Sequence, residues 1–215
     1  MAKSRLSALQ QEILSAFFAR EGRFFLTGGA ALSGFYLGHR ETEDLDLFTL
    51  NDVLDEGIAV LFEIAREMGA SCEPIRTSPD FRRFLLRRST EAVLVDLVRD
   101  RAEQLVPEKP VVNGIRVDVP EEILANKLCA LLARAEIRDL VDVRALEMAG
   151  YRVEDAVPNA TRKDAGLTPA QLGWVLGQME LGTDAVPPGG VSVQELQQYL
   201  ADLIARLARL SFPGR

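Results

Sequence analysis

Histidine and cysteine are scarce in this sequence of 215 residues, and their scarcity limits the chemistry. There is one histidine, His39, and there are two cysteines, Cys72 and Cys129, with no CxxC motif. A single histidine excludes a histidine-rich metal site and disfavours a Ser-His-Asp triad. Two distant cysteines indicate buried thiols instead of a disulfide or a zinc site. Any bound metal would therefore be held by carboxylates, which are typical ligands of Mg²⁺ and Mn²⁺.

Long apolar runs and an excess of basic residues are also missing. No apolar run approaches the roughly 20 residues that a membrane span needs, and the polar segment 1–11 lacks a signal-peptide core. We therefore expect a cytoplasmic protein with no membrane association. The net charge of −7 counts against a nucleic-acid substrate without excluding one, because a local basic patch can suffice.

The order of the patterns predicts an α/β domain over residues 1–120 and a helical region over 121–215. Apolar residues at helical spacing predict a first helix at 5–20, and Asn113-Gly114 is typical of a hairpin turn. Pro120, followed by two glutamates, is typical of the start of a helix. The other predicted elements are strands at 24–26, 45–48, 71–76, 81–88, 92–99, 111–112 and 115–119, helices at 30–38, 51–68 and 193–210, and a linker at 187–190.

Two acidic residues stand out on the predicted strand at 45–48. Asp44 and Asp46 are two positions apart, so the period of a strand puts both carboxylates on the same face. Neighbouring carboxylates repel each other unless a cation neutralises them, and carboxylates that share two metals ~3.5–4 Å apart clamp the reacting oxygens in polymerases. The alternative is an ordinary solvated strand face.

A third acid, Asp96, interrupts the otherwise apolar run from Val93 to Val98. A lone carboxylate in a buried strand costs several kcal/mol unless it is paired or bound to a metal. One interpretation is a salt bridge to one of the nearby arginines. The other is that Asp96 joins Asp44 and Asp46 as a third metal ligand or acts as a general base.

Thr27-Gly28-Gly29 lies between a predicted strand and a predicted helix. Glycines let backbone N–H groups approach a phosphate, and the start of a helix adds the positive end of its dipole. An ordinary tight turn has the same residues, so the pair of glycines indicates a phosphate site only together with the acids on the next strand.

Basic and acidic residues also follow Pro120. Lys127 falls within the apolar stripe of its predicted helix, and Arg134 and Arg138 continue nearly the same face. These residues would suit a triphosphate clamp, or they would snorkel from the edge of a core. Asp139 and Asp142 would order the arginines by ion pairing or take part directly.

Three segments together resemble the AbiEii/AbiGii toxin family, within the polymerase-beta-like nucleotidyltransferase superfamily. They are Gly28-Gly29-Ala30-Ala31-Leu32, the run HRETEDLDLF at 39–48, and KLCALLAR at 127–134 with RDLVD at 138–142. The resemblance covers residues 24–145. It implies a mixed sheet with flanking helices, a helical C-terminal region, and Mg²⁺- or Mn²⁺-dependent use of a nucleoside triphosphate (NTP).

The resemblance also implies roles for particular residues. Asp44, Asp46 and Asp96 would be catalytic and hold the metals. The implied nucleotide-binding residues are Thr27, Gly28, Gly29, Arg40, Lys127, Arg134 and Asp142, with Asp139 as the alternative to Asp142 for the late acidic motif. Some members of the family are toxins of type IV toxin–antitoxin systems, which implies a cognate antitoxin, and related enzymes add nucleotides to tRNA.

Three functions remain open from the sequence. The first is nucleotidyl transfer to RNA or tRNA, for which the arginines between 76 and 101 would supply a basic patch. The second is transfer to a small molecule, because the arrangement of glycines and acids is also similar to aminoglycoside and lincosamide resistance enzymes. The third is a domain that has lost its chemistry and binds a partner, which the presence of all three acids disfavours.

Overall fold

The structure is a computed structural model that describes residues 4–211. Two compact units make up the chain. The first contains Met1–Arg101 and Val106–Val119, and the second contains Ala102–Leu105 and Pro120–Arg215. The first unit is a mixed α/β structure and the second is helical, which confirms the predicted fold class.

A five-stranded mixed sheet forms the frame of the first unit, in the order β1-β2-β5-β4-β3. β2 and β5 are parallel, and the other neighbouring strands are antiparallel. The parallel pair brings together two strands that are distant in sequence, and both carry acidic residues. The strands are β1 (Phe24–Thr27), β2 (Asp44–Thr49), β3 (Ser71–Ser78), β4 (Phe81–Arg88) and β5 (Glu91–Arg99).

Three helical segments accompany the sheet: α1 (Ala8–Phe18), α2 (Gly28–Ala31), which continues as a π-helix over Leu32–Tyr36, and α3 (Leu54–Glu67). α1 begins later than predicted because Ser7 and Gln10 form a capping box, which fixes the first helical residue at Ala8. Conversely, the helix predicted at 30–38 begins earlier, directly at Gly28.

Aromatic contacts join the helices to one face of the sheet. Phe17 of α1 packs edge-on against Phe24 of β1, with ring centroids 5.4 Å apart. Phe62 of α3 packs in the same way against Phe84 of β4 at 5.6 Å. Since side chains alternate along a strand, the neighbour of Phe84, Arg83, points to the opposite face.

The predicted hairpin is present as β6 (Val111–Val112) and β7 (Ile115–Arg116). Asn113 and Gly114 have φ values of 53° and 80°, as such a turn requires. The second strand is shorter than predicted because the chain leaves the hairpin after Arg116 and runs beside β1. There the amide of Asp118 donates to the carbonyl of Leu26 at 2.8 Å.

The second unit consists of α4 (Pro120–Arg134), α5 (Ile137–Met148), α6 (Val153–Lys163), α7 (Pro169–Leu176) and α8 (Val193–Ser211). The proline-glycine segment predicted as a linker contains a short 3₁₀ turn at Pro188–Gly190. Within the described part of the chain, no helix is both long and apolar enough to cross a membrane.

Candidate active site

The register of the sheet sets five polar side chains in one row. Thr27 of β1 is opposite Asp46 of β2, Asp46 is opposite Asp96 of β5, Asp96 is opposite Arg83 of β4, and Arg83 is opposite Arg76 of β3. Residues that pair across strands point to the same face of a sheet. The row therefore runs from a hydroxyl through two carboxylates to two guanidinium groups.

Asp44 and Asp46 alternate along β2 with buried leucines and are themselves only half-buried. Both carboxylates lie on one face of the strand, as the spacing predicts. The hydroxyl of Thr42 donates to Oδ1 of Asp44 at 2.8 Å. This contact orients the carboxylate of Asp44.

Asp96 is only 3% exposed, and a guanidinium group neutralises it. Arg83 donates from Nε to Oδ1 at 2.7 Å and from Nη2 to Oδ2 at 2.6 Å. This two-bond geometry is the strongest form of an arginine–carboxylate pair. Of the two interpretations of Asp96, the structure therefore contains the salt bridge, while the role as a metal ligand or base stays a prediction.

Arg83 lies in the field of all three acids. The hydrogen bonds to Asp96 raise the pKa of the Arg83 guanidinium, burial opposes them, and the charges of Asp96, Asp44 and Asp46 raise the pKa further. The side chain is thus held as a cation beside the β2 carboxylates. The sequence identified Arg83 only as one member of a basic cluster, because the spacing of residues along the chain does not show how β4 pairs with β5.

The donors of this row fit a divalent cation in part. Among the described residues, no three His, Cys, Asp or Glu side chains are grouped to hold a metal. Asp44 and Asp46 offer the oxygen ligands that Mg²⁺ takes when substrate phosphates and water complete its shell. Both oxygens of Asp96 accept from Arg83, so Asp44 and Asp46 are the carboxylates on this face that would hold a cation.

The glycine turn lies directly against this row. Gly28 has a φ of 66°, and a Cβ atom there would overlap the carboxylate of Asp46. A Cβ atom on Gly29 would lie 2.5 Å from Nη2 of Arg40. Glycine at position 28 suits both the positive φ and the close approach of Asp46, whereas a side chain at position 29 would require the Arg40 guanidinium to shift. Arg40 is itself buried, and its Nη1 donates to the carbonyl of Glu41 at 2.9 Å.

A second buried cluster holds Thr27, the residue before the glycines. Its hydroxyl donates to Oδ2 of Asp118 at 2.8 Å, and Nζ of Lys109 lies 2.9 Å from Oδ1 of Asp118. Nζ of Lys109 also lies 5.0 Å from the ring centre of Phe25. The sequence analysis did not identify Asp118, although this acid interrupts an apolar stretch just as Asp96 does. No sequence pattern marked Lys109 as a member of a buried cluster.

The basic and acidic residues of the second unit form a buried cluster of their own. Nζ of Lys127 lies 2.8 Å from Oδ1 of Asp139 and 2.7 Å from Oδ2 of Asp142. Nε of Arg134 lies 2.8 Å from Oδ2 of Asp139, while Arg138 pairs with Glu136. Ion pairing, and not snorkelling, therefore accounts for Lys127 in this structure. Roles of Lys127, Arg134 and Asp142 in nucleotide binding stay predictions.

Burial and charge act against each other in this cluster. Burial lowers the pKa of Lys127, but attraction to Asp142 and Asp139 outweighs it, so that the pKa lies above its usual value. For Asp139, burial raises the pKa, while Lys127 and Arg134 lower it more, so that the net shift is downward. Both groups are therefore held in their charged forms.

Ion pairs take up much of the arginine cluster between residues 76 and 101. The carboxylate partners differ, and the pairs are Arg83–Asp96, Arg88–Glu12, Arg99–Asp52 and Arg101–Asp80. Arg76 is exposed on the edge strand β3. Part of the cluster is thus ion-paired surface, and Arg76 is accessible at the end of the row.

Comparison with solved structures finds two that share the fold of this chain. The chain resembles a crystal structure from H. pylori assigned as a nucleotidyltransferase, with 18% identity, a TM-score of 0.60, and coverage of 96% of this chain and 95% of that one. It also resembles JHP933 from Helicobacter pylori, with 20% identity, a TM-score of 0.62, and coverage of 94% and 90%. These likenesses establish the fold.

A search of curated proteins gave no match. The family described as nucleotidyl transferase AbiEii toxin, type IV TA system, matches residues 12–207. That match includes the glycine turn, the row of acids and the buried cluster of the second unit. The chain therefore belongs to the AbiEii family of nucleotidyltransferases.

Proposed function

We propose that this enzyme transfers a nucleotide from an NTP to the end of an RNA, and that this RNA is a tRNA. The observation that carries the proposal is the contact of Gly28 with the Asp46 carboxylate. A phosphate approached by the glycine amides would lie beside Asp44 and Asp46. One small region of the first unit would then meet both needs of nucleotidyl transfer, which are phosphate binding and charge neutralisation.

The backbone of the turn suits an anion. α2 begins at Gly28, and its N-cap residue Thr27 makes no side-chain capping hydrogen bond. The hydroxyl of Thr27 donates instead to Asp118. The N–H groups of the first helical turn are thus not capped by Thr27, and they are the groups that bind phosphates at helix starts. Arg40, packed against Gly29, adds a positive charge.

The three carboxylates on this face of the sheet would have separate tasks. Asp44 and Asp46 would hold Mg²⁺ or Mn²⁺, which neutralises charge on the triphosphate oxygens when bound. Asp96 would orient the acceptor hydroxyl and take its proton. The hydroxyl oxygen forms a bond to the α-phosphorus as the bond to the β-phosphate oxygen breaks, and pyrophosphate leaves.

The cluster of the second unit would add to nucleotide binding. Lys127 and Asp142 are almost completely buried, whereas the side chain of Arg134 is 45% exposed. Of these residues, Arg134 therefore has the side chain that a nucleotide can reach. Lys127, Asp139 and Asp142 would hold the helices and the guanidinium group in position.

Family membership also supports a proposal for the role of the protein in the cell. As a member of a family of type IV toxins, the protein would act as the toxin of a toxin–antitoxin pair, with an antitoxin as its partner. Such a toxin modifies its target, so NTP consumption and growth arrest should depend on the same acidic residues.

Incorporation of labelled NTPs tests the proposal. The purified protein is incubated with each labelled NTP and Mg²⁺, with bulk tRNA, with an aminoglycoside, and without an acceptor. We expect label in the tRNA, and none when EDTA is present. Label in the aminoglycoside alone would contradict the RNA acceptor, and undiminished transfer in EDTA would contradict the metal.

A further inference from the structure

We propose that Arg76, Phe81 and Arg83 form a platform that binds the single-stranded 3′ end of the acceptor RNA. This inference rests on the proposed function and identifies where its acceptor binds. The platform combines an aromatic ring with two guanidinium groups next to the row of acids. It would stack one base on Phe81 and bind the adjacent phosphate through Arg76.

The direction of the reaction points to this side of the sheet. The glycine turn follows β1 and touches Asp46 of β2, so the triphosphate and its leaving pyrophosphate belong to the β1 side. Attacking and leaving oxygens lie roughly in line during phosphoryl transfer. The acceptor must then approach from the opposite side, across β5, β4 and β3. Asp96, Arg83 and Arg76 follow one another in that direction.

Both guanidinium groups lie against the Phe81 ring on a single face of the sheet. The guanidinium carbon of Arg83 lies 5.6 Å from the centre of the Phe81 ring, and that of Arg76 lies 5.8 Å from it. Arg83 is tied to Asp96 by two hydrogen bonds, which fixes one edge of the platform. Arg76 is exposed and Phe81 is partly exposed, so a ligand can reach both.

The chemistry of the platform favours RNA over the other acceptor considered. Aromatic rings flanked by cations bind single-stranded nucleic acids by base stacking and phosphate contacts, without sequence preference. An aminoglycoside is a polycation, and two guanidinium groups would repel it. The platform thus supplies a local basic site in a chain whose net charge is −7.

Fluorescence anisotropy of an RNA measures this binding directly. The probe is a 5′-labelled single-stranded oligoribonucleotide of about 12 nucleotides with a free 3′ hydroxyl, without NTP or metal. We expect Phe81→Leu to weaken binding about tenfold. Arg76→Gln should weaken it several-fold and reduce the slope of log K against log salt by about 0.7.

Two matched variants on α3 serve as controls. Arg66→Gln makes the same change of charge, and Phe62→Leu makes the same change of ring, on the helix that packs against the other face. Both should bind the RNA within twofold of the wild type. Equal losses in the controls, or wild-type affinity in Arg76→Gln and Phe81→Leu, would overturn the platform, as would a wild-type protein that binds no RNA.

The same preparations separate this inference from the proposed function. If the wild type labels tRNA and both platform variants label it with an unchanged KM for tRNA, the platform is wrong and the transferase stands. If no preparation transfers nucleotide to any acceptor, the proposed function itself fails. A raised KM for tRNA with an unchanged KM for NTP supports the platform, because a merely structural change would not separate the two.

Discussion

Two charged clusters with similar residues lie in very different surroundings. In the first unit, Asp44 and Asp46 are half-buried on a strand, and Arg83 binds their neighbour Asp96 by two hydrogen bonds. In the second unit, Lys127 is held between the fully buried Asp139 and Asp142. The carboxylates of β2 are half-buried, whereas the charges of the second cluster are buried and neutralise one another within the fold.

This contrast separates binding from stability. Carboxylates on the same face of a strand repel each other, and a bound cation lowers this repulsion. A buried ion pair behaves in the opposite way, because removing one partner leaves an uncompensated charge. Substitutions in the first cluster should therefore change activity and metal binding, whereas substitutions in the second should change stability. The predictions below run from the largest effect to the smallest.

Asp46→Asn should abolish nucleotide transfer, with a loss of about a thousandfold, because a metal ligand is commonly worth several kcal/mol in such reactions. Its melting temperature in metal-free buffer should stay equal to that of the wild type or rise, since carboxylate repulsion is relieved. Incorporation of labelled NTP and thermal denaturation check the two parts. Wild-type turnover in Asp46→Asn would contradict the assignment of Asp46 as a metal ligand.

Lys127→Met should destabilise the protein by about 3–5 kcal/mol, because it leaves two buried carboxylates without their shared cation. Arg138→Met is the control, since the Arg138–Glu136 pair is exposed and should be worth about 0–1 kcal/mol. Urea denaturation measures both. If the two variants are equally stable, the buried cluster does not stabilise the fold as described.

Acid should weaken this cluster. The folded-state pKa of Asp139 lies below its ordinary value of 3.8, so its contribution is present above that pH and is lost as the pH falls through the lowered pKa. The melting temperature should drop steeply below pH 3.8. The drop should be shallower in Asp139→Asn, and identical acid profiles for the variant and the wild type would contradict the shift.

Arg83→Gln should tighten Mn²⁺ binding several-fold, the smallest of these effects. The substitution removes a positive charge beside Asp44 and Asp46 and releases both oxygens of Asp96. Arg82→Gln, which changes the next residue on β4, should leave the affinity nearly unchanged. Titration of the metal alone, followed by electron paramagnetic resonance, gives both values. An unchanged or weaker affinity in Arg83→Gln would argue against competition for Asp96.

Much of the fold could be predicted because its signals are local. The Asn113-Gly114 turn and Pro120 each mark a boundary through their own backbone preferences. Boundaries that depend on side-chain or tertiary contacts were less accurate. The first helix was predicted at 5–20 and begins at Ala8 because of the Ser7 cap, and the second hairpin strand ends at Arg116 because the chain turns to pair with β1.

The candidate site divides in the same way. The common face of Asp44 and Asp46 follows from strand alternation alone. The partner of Asp96 depends on the register of β4 against β5, which spacing does not reveal, so Arg83 could not be singled out. Asp118 could have been identified from the sequence as an acid in an apolar stretch. Its partner Lys109 lies in an irregular segment, where no periodicity links it to Asp118.

A crystal structure with a non-hydrolysable NTP analogue and Mn²⁺ tests the central claim most directly. The anomalous signal of the metal should lie between the carboxylates of Asp44 and Asp46, with the triphosphate over the amides of Gly28 and Gly29. A manganese peak elsewhere, or triphosphate density away from the glycine turn, would contradict the account of how this enzyme binds its nucleotide.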